Sequence, residues 1–207
     1  MVRYRIYPTL LQAFSQYQHG ITNAKGQVLV GFDEIIDRIN RVPAPTTQAQ
    51  QRGIDFESAL ITGRGEEHFP AHIVEEMRTR LPKQFKTQFR VRAVVKDVEL
   101  YGLVDVVGSD RAVDVKTTGR YQPGRFARSF QNLYLLGLKA WNIGQLDYLI
   151  TDFEQVYVES YFADTYDFGP LLDELDAFVD FLETNRRLIT DQKIFKNAPD
   201  GLQTSLF

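Results

Sequence analysis

The apolar residues change period between Pro70 and Thr117, and that change confines the chain to folds in which helices pack against a sheet. Pro70 is placed to open a helix, on which Ile73, Val74, Met77 and Leu81 recur every three or four residues. Beyond Leu81 the spacing becomes two. Phe85, Phe89, Val91, Ala93 and Val95 occupy alternate positions, with Thr87 the one polar member of the series, as in a half-buried strand. A second strand is expected from Val98 to Val107, Gly108-Ser109-Asp110 supplies turn chemistry, and a third strand runs from Ala112 to Thr117. The three form a meander. In the last of them Val113 and Val115 face one side, and Asp114 and Lys116 the other.

On either side of this block the pattern is mostly helical. Thr9 with Gln12 resembles a capping box ahead of Leu10, Leu11, Phe14 and Tyr17, predicting a helix over about 9–18 that ends at Gly20. Phe32, Ile35, Ile36 and Ile39 predict another, and Pro43, Pro45, Thr46 and Thr47 mark a break. Ala49, Gly53, Phe56 and Leu60 then share the inward face of a helix over about 48–61; Glu57 lies beside Phe56 on its flank, where Gly53 permits close approach. After Gly119, Pro123 and Gly124, a helix is expected over about 124–141, carrying Phe126, Phe130, Leu133, Leu136, Leu138 and Trp141. Strands follow at Leu146, Tyr148 and Ile150 and at Val156 and Val158. A final helix begins near Pro170 with Leu171, Leu175, Phe178, Val179 and Leu182 as its stripe. These elements predict one α/β domain over 1–207, with a mixed central sheet flanked by helices, a mainly helical part (1–82) and a core from about 83.

Composition removes several functions. With no cysteine there is no disulfide framework, thiolate zinc site or iron-sulfur cluster. No run reaches the length of a membrane helix and the first residues lack the apolar stretch of a secretory signal, so no membrane association and a cytoplasmic location are expected. The net charge of -3 conceals a segregation: from Met77 to Lys96 stand Arg78, Arg80, Lys83, Lys86, Arg90, Arg92 and Lys96 without an acid, whereas 140–185 holds no Lys or Arg. Such polarity could present a phosphate-binding face, or be two ordinary solvated surfaces of opposite sign.

Chemistry concentrates around the meander. Asp105 ends the second strand among Gly102, Leu103, Val104, Val106 and Val107, an expensive setting for an unpaired carboxylate. Asp114 and Lys116 are neighbours on one face of the next strand, and opposed residues of an antiparallel pair stand about 5 Å apart. Asp105, Asp114 and the backbone carbonyl of Val115 are therefore candidate ligands of a hard cation such as Mg²⁺, with Mn²⁺ as substitute. Lys116 would orient a water or screen phosphate charge. The competing reading is a solvent-facing ion pair. Arg128, Gln131 and Tyr134 recur at three-residue intervals on the following helix: Gln131 could bond a catalytic carboxylate, water or phosphate, Tyr134 could support Gln131 or stack on a nucleotide, and Arg128 could contact a phosphate. Glu66-Glu67 and Glu75-Glu76 read as helix-start and solvated acids, and the eleven acids from Asp147 to Glu183 lack the ligand spacing of a calcium loop.

Asp105, Asp114-Val115-Lys116 and Gln131-Asn132-Leu133-Tyr134 together resemble the PD-(D/E)XK nuclease superfamily, in particular its recombination-associated and phage-type exonucleases. The resemblance implies a restriction-endonuclease-like core, with Asp105, Asp114 and Lys116 as core catalytic residues and Gln131 and Tyr134 as the helix motif. That motif here is one residue shorter than the usual Gln-x-x-x-Tyr. Gly53-Ile54-Asp55-Phe56-Glu57 resembles the upstream signature of phage-type members and implies Glu57 as a further metal carboxylate; His68 and His72 lie too far downstream for the histidine that some relatives use. Tyr7 to Phe14 is similar to the entry helix of this branch. The implied activity is Mg²⁺-dependent cleavage of DNA, as an exonuclease in recombination, repair or phage DNA processing. The alternatives are a noncatalytic nucleic-acid-binding protein, or a structural partner of a helicase or recombinase. The chain has no Gly-Lys-Ser/Thr phosphate loop, so a motor would be supplied by a partner.

Overall fold

A computed structural model describes residues 1–23 and 25–196. Helices flank a mixed sheet of six strands, β1 (Tyr4–Ile6), β2 (Lys86–Val95), β3 (Val98–Val107), β4 (Ala112–Thr117), β5 (Gln145–Thr151) and β6 (Val156–Phe162). β1 lies parallel to β3, β3 antiparallel to β4, β4 parallel to β5 and β5 antiparallel to β6, while β2 pairs with β3. The α/β class and the meander are as expected from the sequence, and β3 and β4 have the predicted bounds.

The residues cluster into two compact units. One comprises Met1–Pro43, Arg92–Gly102 and the described part of Asp167–Phe207. It holds β1, α1 (Pro8–Gln18), α2 (Phe32–Ile39) and α6 (Gly169–Thr184), and its core includes Phe14 and Phe178, with the half-buried Tyr17 and Phe181 and the exposed Phe32 continuing the aromatic cluster outward. The capping box expected at Thr9 is absent. Pro8, whose ring presets a helical φ and which has no N–H to satisfy, takes the first helical position, so Thr9 falls inside the first turn and Tyr7 becomes the N-cap.

The other unit comprises Ala44–Val91 and Leu103–Tyr166. α3 (Gln48–Thr62) starts at a capping box: the Gln50 N–H donates to Thr47 Oγ1 at 3.2 Å and the Thr47 N–H to Gln50 Oε1 at 2.8 Å. It ends at Gly63, whose φ of +77° suits a residue without Cβ. Phe56 and Leu60 of α3 meet Ile73, Val74 and Met77 of α4 (Ala71–Arg80) over Val106, Val113, Val115 and Leu149 of the strands. Gly53 is where α3 approaches β4, since a Cβ there would stand 3.2 Å from Thr117 Oγ1. Ala49, expected on the inward face, is exposed and lines an open cavity.

The helix expected over 124–141 is broken. Residues 124–128 are turns, Phe130–Leu133 is a 3₁₀ helix, α5 covers only Tyr134–Leu138, and Lys139–Trp141 is 3₁₀ again. Two polar side chains compete with the helical ladder. Ser129, in extended conformation, accepts the Gln131 N–H at 3.3 Å and starts a new helix, and the fully buried Asn132 donates to the Phe126 carbonyl at 2.9 Å.

Candidate functional site

β3 and β4 are joined by a short turn, with Val106 opposite Val113 and Val107 opposite Ala112. This register brings Asp105 to the Asp114–Lys116 stretch: Asp105 Oδ2 accepts the Val115 N–H at 2.8 Å. Asp114 is 1 % exposed, because β4 lies between β3 and β5 and pairs Asp114 with the buried Tyr148. A carboxylate so buried needs partners. Gln131 Nε2 donates to Asp114 Oδ1 at 2.8 Å, and the Lys116 ammonium forms an ion pair with Oδ2. That oxygen nevertheless lacks a hydrogen bond of good geometry, leaving it an under-satisfied acceptor beside a positive charge.

Electrostatics tie the group together. Burial, followed by the charges of Asp114 and Glu57, pushes the Asp105 carboxyl up to about 7, against the pull of Lys116 and the Val115 N–H. Burial also raises Glu57, opposed by a hydrogen bond from Gln88 Nε2 at 2.7 Å and reinforced by Asp114. For Lys116 burial works to lower the pKa, but Asp114, Asp105 and Glu57 outweigh it and the net shift is upward. The Tyr134 hydroxyl is raised by burial and then by Asp114 and Asp105, with a hydrogen bond from Gln131 acting the other way. Asp105, Asp114, Lys116, Glu57, Gln131 and Tyr134 thus fall within one electrostatic neighbourhood, all in the second unit.

The shortened Gln-x-x-Tyr spacing has a geometric counterpart. Gln131 lies in the 3₁₀ turn, where residues three apart eclipse one another, so Gln131 and Tyr134 come to one side as residues four apart do on an α-helix. Tyr134 is buried and offers no exposed stacking face, and its hydroxyl lies close enough to Gln131 to be influenced by it. Arg128 precedes the 3₁₀ turn and is exposed. Val115 enters through its backbone, and its side chain belongs to the hydrophobic core.

Gln88 was not among the residues singled out from sequence, because an isolated polar residue on a strand carries no signal. It sits inside β2 with φ +48°, a left-handed value that a non-glycine residue adopts at a cost, and its side chain holds Glu57. The basic stretch also differs from a uniform phosphate-binding face. Arg78 donates to the carbonyls of Leu60 and Ala59 at the end of α3 and pairs with Glu66, while Arg80 pairs with Glu76, Arg92 with Glu99 and Lys96 with Asp176.

The donors suit a hard cation in kind: carboxylates held among apolar strands, one raised to about 7 and one with an under-satisfied oxygen. Among the described residues, no three acidic or imidazole side chains lie close enough to hold an ion as they stand. Lys116 and Gln88 occupy two of the carboxylates instead. Mg²⁺ is commonly held by one or two carboxylates, with water and substrate phosphate completing the shell, and an ion bound in that way here would draw on Asp105 and Asp114.

The architecture is thus an α/β fold with a buried acid–lysine cluster on two central strands. No family model matches the chain, and no curated protein matches it. Among solved structures it is similar to a protein described as a putative exonuclease from Eubacterium rectale, at 11 % identity and a TM-score of 0.47 over 90 % of this chain and 80 % of that one. It is also similar to a protein called SSO0001, at 13 % identity and a TM-score of 0.43 over 93 % and 88 %. Likenesses this distant carry no argument about activity. Among the described residues no helix is long and apolar enough to cross a membrane.

Proposed function

We propose that the chain is a metal-dependent nuclease that hydrolyses DNA phosphodiester bonds, with exonuclease action as its mode. The observation that supports it best is the Asp105–Asp114–Lys116 group: two carboxylates on adjacent strands in an apolar setting, one of them buried against an ammonium. A surface ion pair, the competing reading, would leave both charges in water, whereas Asp114 is almost fully enclosed. Keeping such charges inside a folded protein is costly, and carboxylates perturbed by burial and by neighbouring charges concentrate at functional sites.

In this reading Asp105 and Asp114 would hold Mg²⁺, and Glu57, hydrogen-bonded by Gln88, would be a further ligand once free. The bound cation supplies Lewis-acid polarisation of the scissile phosphate. The protein's own groups do the rest. Gln131 fixes the Asp114 carboxylate through Oδ1, leaving Oδ2 turned toward Lys116. Lys116 keeps its proton at neutral pH, so it serves as a fixed positive charge against developing phosphate charge or as an orienting donor to the attacking water. The Val115 N–H restrains Asp105.

The test uses end-labelled linear and covalently closed DNA with Mg²⁺, Mn²⁺ or chelator, comparing wild type with Asp114→Asn. Cleavage that needs the metal and falls by at least 100-fold in the variant is expected, and loss of only the linear substrate supports exonuclease action. Equal, metal-independent turnover by both proteins would defeat the assignment. DNA binding without cleavage under any metal would favour a noncatalytic binding protein.

A further inference from the structure

Two cavities flank Arg52 on α3, and their lining has a chemistry that the acid–lysine cluster does not use. One, of about 600 Å³, contains Arg52, Arg125, Thr118 and Phe153; the other, of about 580 Å³, contains Arg52, Arg64, His68 and Phe69. No ion pair joins Arg52, Arg64 or Arg125 to a carboxylate among the described residues, in contrast to Arg78, Arg80, Arg92 and Lys96 of the basic stretch. Arg125 Nη1 is instead oriented by Thr118 Oγ1 at 2.6 Å and the Arg120 carbonyl at 3.0 Å. The acid in each cavity is already engaged: Asp152 accepts two backbone N–H groups and the Tyr157 hydroxyl, and Asp55 accepts from Gln51.

The aromatic lining is equally organised. Phe69 and Phe153 stack at 5.8 Å with an interplanar angle of 13°, and the Arg52 guanidinium lies 4.0 Å over the Phe153 ring. Phe153 has φ +71°, an outlier for a bulky side chain, and is held there by its N–H bond to Thr151 Oγ1. The rings spend their faces on each other, on Arg52 and on the core, so the surface itself is made by exposed guanidinium groups that form no ion pair: on a single-stranded polynucleotide, phosphates meet Arg and bases meet the guanidinium planes. α3 carries both Arg52 and Glu57, five residues apart and so about 7.5 Å along its axis.

We propose that the two cavities around Arg52 form a binding track for single-stranded nucleic acid, with Arg52, Arg125 and Arg64 on its phosphates, leading the strand toward the acid–lysine cluster. As a path for the substrate it rests on the nuclease reading; as a binding site it stands alone.

The experiment is therefore done first without catalysis. Anisotropy of a fluorescein-labelled single-stranded oligonucleotide is measured in chelator across a salt series, in the Asp114→Asn protein with and without Arg52→Ala/Arg125→Ala. Each phosphate contact on a single strand contributes about 0.7 to the slope of log affinity against log salt, so the double variant should flatten the slope by about 1.4 and weaken binding about 10- to 30-fold at 0.1 M salt. Arg52→Ala/Arg64→Ala, which spares the Arg125 loop contacts, guards against a folding defect and should show a similar loss. Lys25→Ala/Lys193→Ala removes the same charge at exposed positions outside both cavities and the basic stretch and should bind within about twofold of its parent. Unchanged binding in both arginine variants, or an equal loss in the lysine variant, overturns the track. Duplex bound as tightly as single strand with the same arginine dependence overturns its strand preference. The nuclease reading fails separately: arginine-dependent binding with no metal-dependent cleavage by the wild type removes catalysis and leaves the track, whereas wild-type cleavage unaffected by arginine loss removes the track and leaves catalysis.

Discussion

Asp105→Asn should stabilise the metal-free protein above neutral pH, against the usual expectation for a change in a buried polar network. The Asp105 carboxyl moves from an ordinary 3.8 to about 7 in the folded state. At 1.36 kcal/mol per unit, a shift of about three units is worth about 4 kcal/mol. Asp105 retains some solvent contact and shares its charge with neighbours, which reduces the expected effect to about 2 kcal/mol. The sign follows from proton counts. Between about pH 4 and 7 the folded protein keeps a proton that the unfolded chain has released, so stability falls as pH rises through that window and levels off above it. Glu57, also raised, acts in the same direction. Lys116, raised from 10.5, contributes stability that is complete below its unfolded pKa and is lost only at higher pH, so it does not tilt the window. The Asn side-chain oxygen can still accept the Val115 N–H. Urea unfolding in chelator at pH 5 and pH 8 is the assay: the interval covers about two of the three units, so the stability difference between variant and wild type should move in the variant's favour by about 1.4 kcal/mol. A difference independent of pH, or one that moves against the variant, would refute the claim that burial and neighbouring carboxylates hold Asp105 in an unfavourable charge state.

Gln88 combines strain with a grip on Glu57. Gln88→Gly should be more stable than Gln88→Leu by about 1 kcal/mol, since glycine tolerates φ +48°, and both should lower the Mg²⁺ concentration for half-maximal cleavage severalfold by freeing Glu57 for the metal. Equal melting temperatures for the two variants would remove the strain argument, and an unchanged metal requirement would remove the positioning role. Gly108 is expected to resist enlargement, because a Cβ there would fall 2.6 Å from Pro82 Cβ, and the proline ring cannot turn away. Gly108→Ala should lose about 1–3 kcal/mol by urea titration, and a loss below about 0.5 kcal/mol would show that the turn relaxes freely.

Several features were legible without tertiary information. The period change after Leu81 marks the passage from helix to strands, and the two-residue spacing of Asp114 and Lys116 places both on one side of β4. Those are short-range properties, set by backbone geometry within a few residues. Gly108 shows the boundary: the sequence reads it as a turn former, yet its close neighbour is Pro82. The broken segment after Gly124 shows it again, since the apolar residues of 124–141 fit one helix, but the Ser129 cap and the bond from Asn132 to Phe126 divide it.

By itself the sequence determined the order and kind of most elements, and the short list of acids, lysine and glutamine from which a site could be built. The tertiary structure alone decided which charges are spent and which remain available. Arg78 and Lys96 lie in the basic stretch yet are paired, whereas the guanidinium groups of Arg52 and Arg125, inconspicuous in the sequence, form no ion pair among the described residues. Periodicity records which face of a helix or strand is buried; it does not record which distant segment the exposed face meets, and a charged side chain's role is set by that partner.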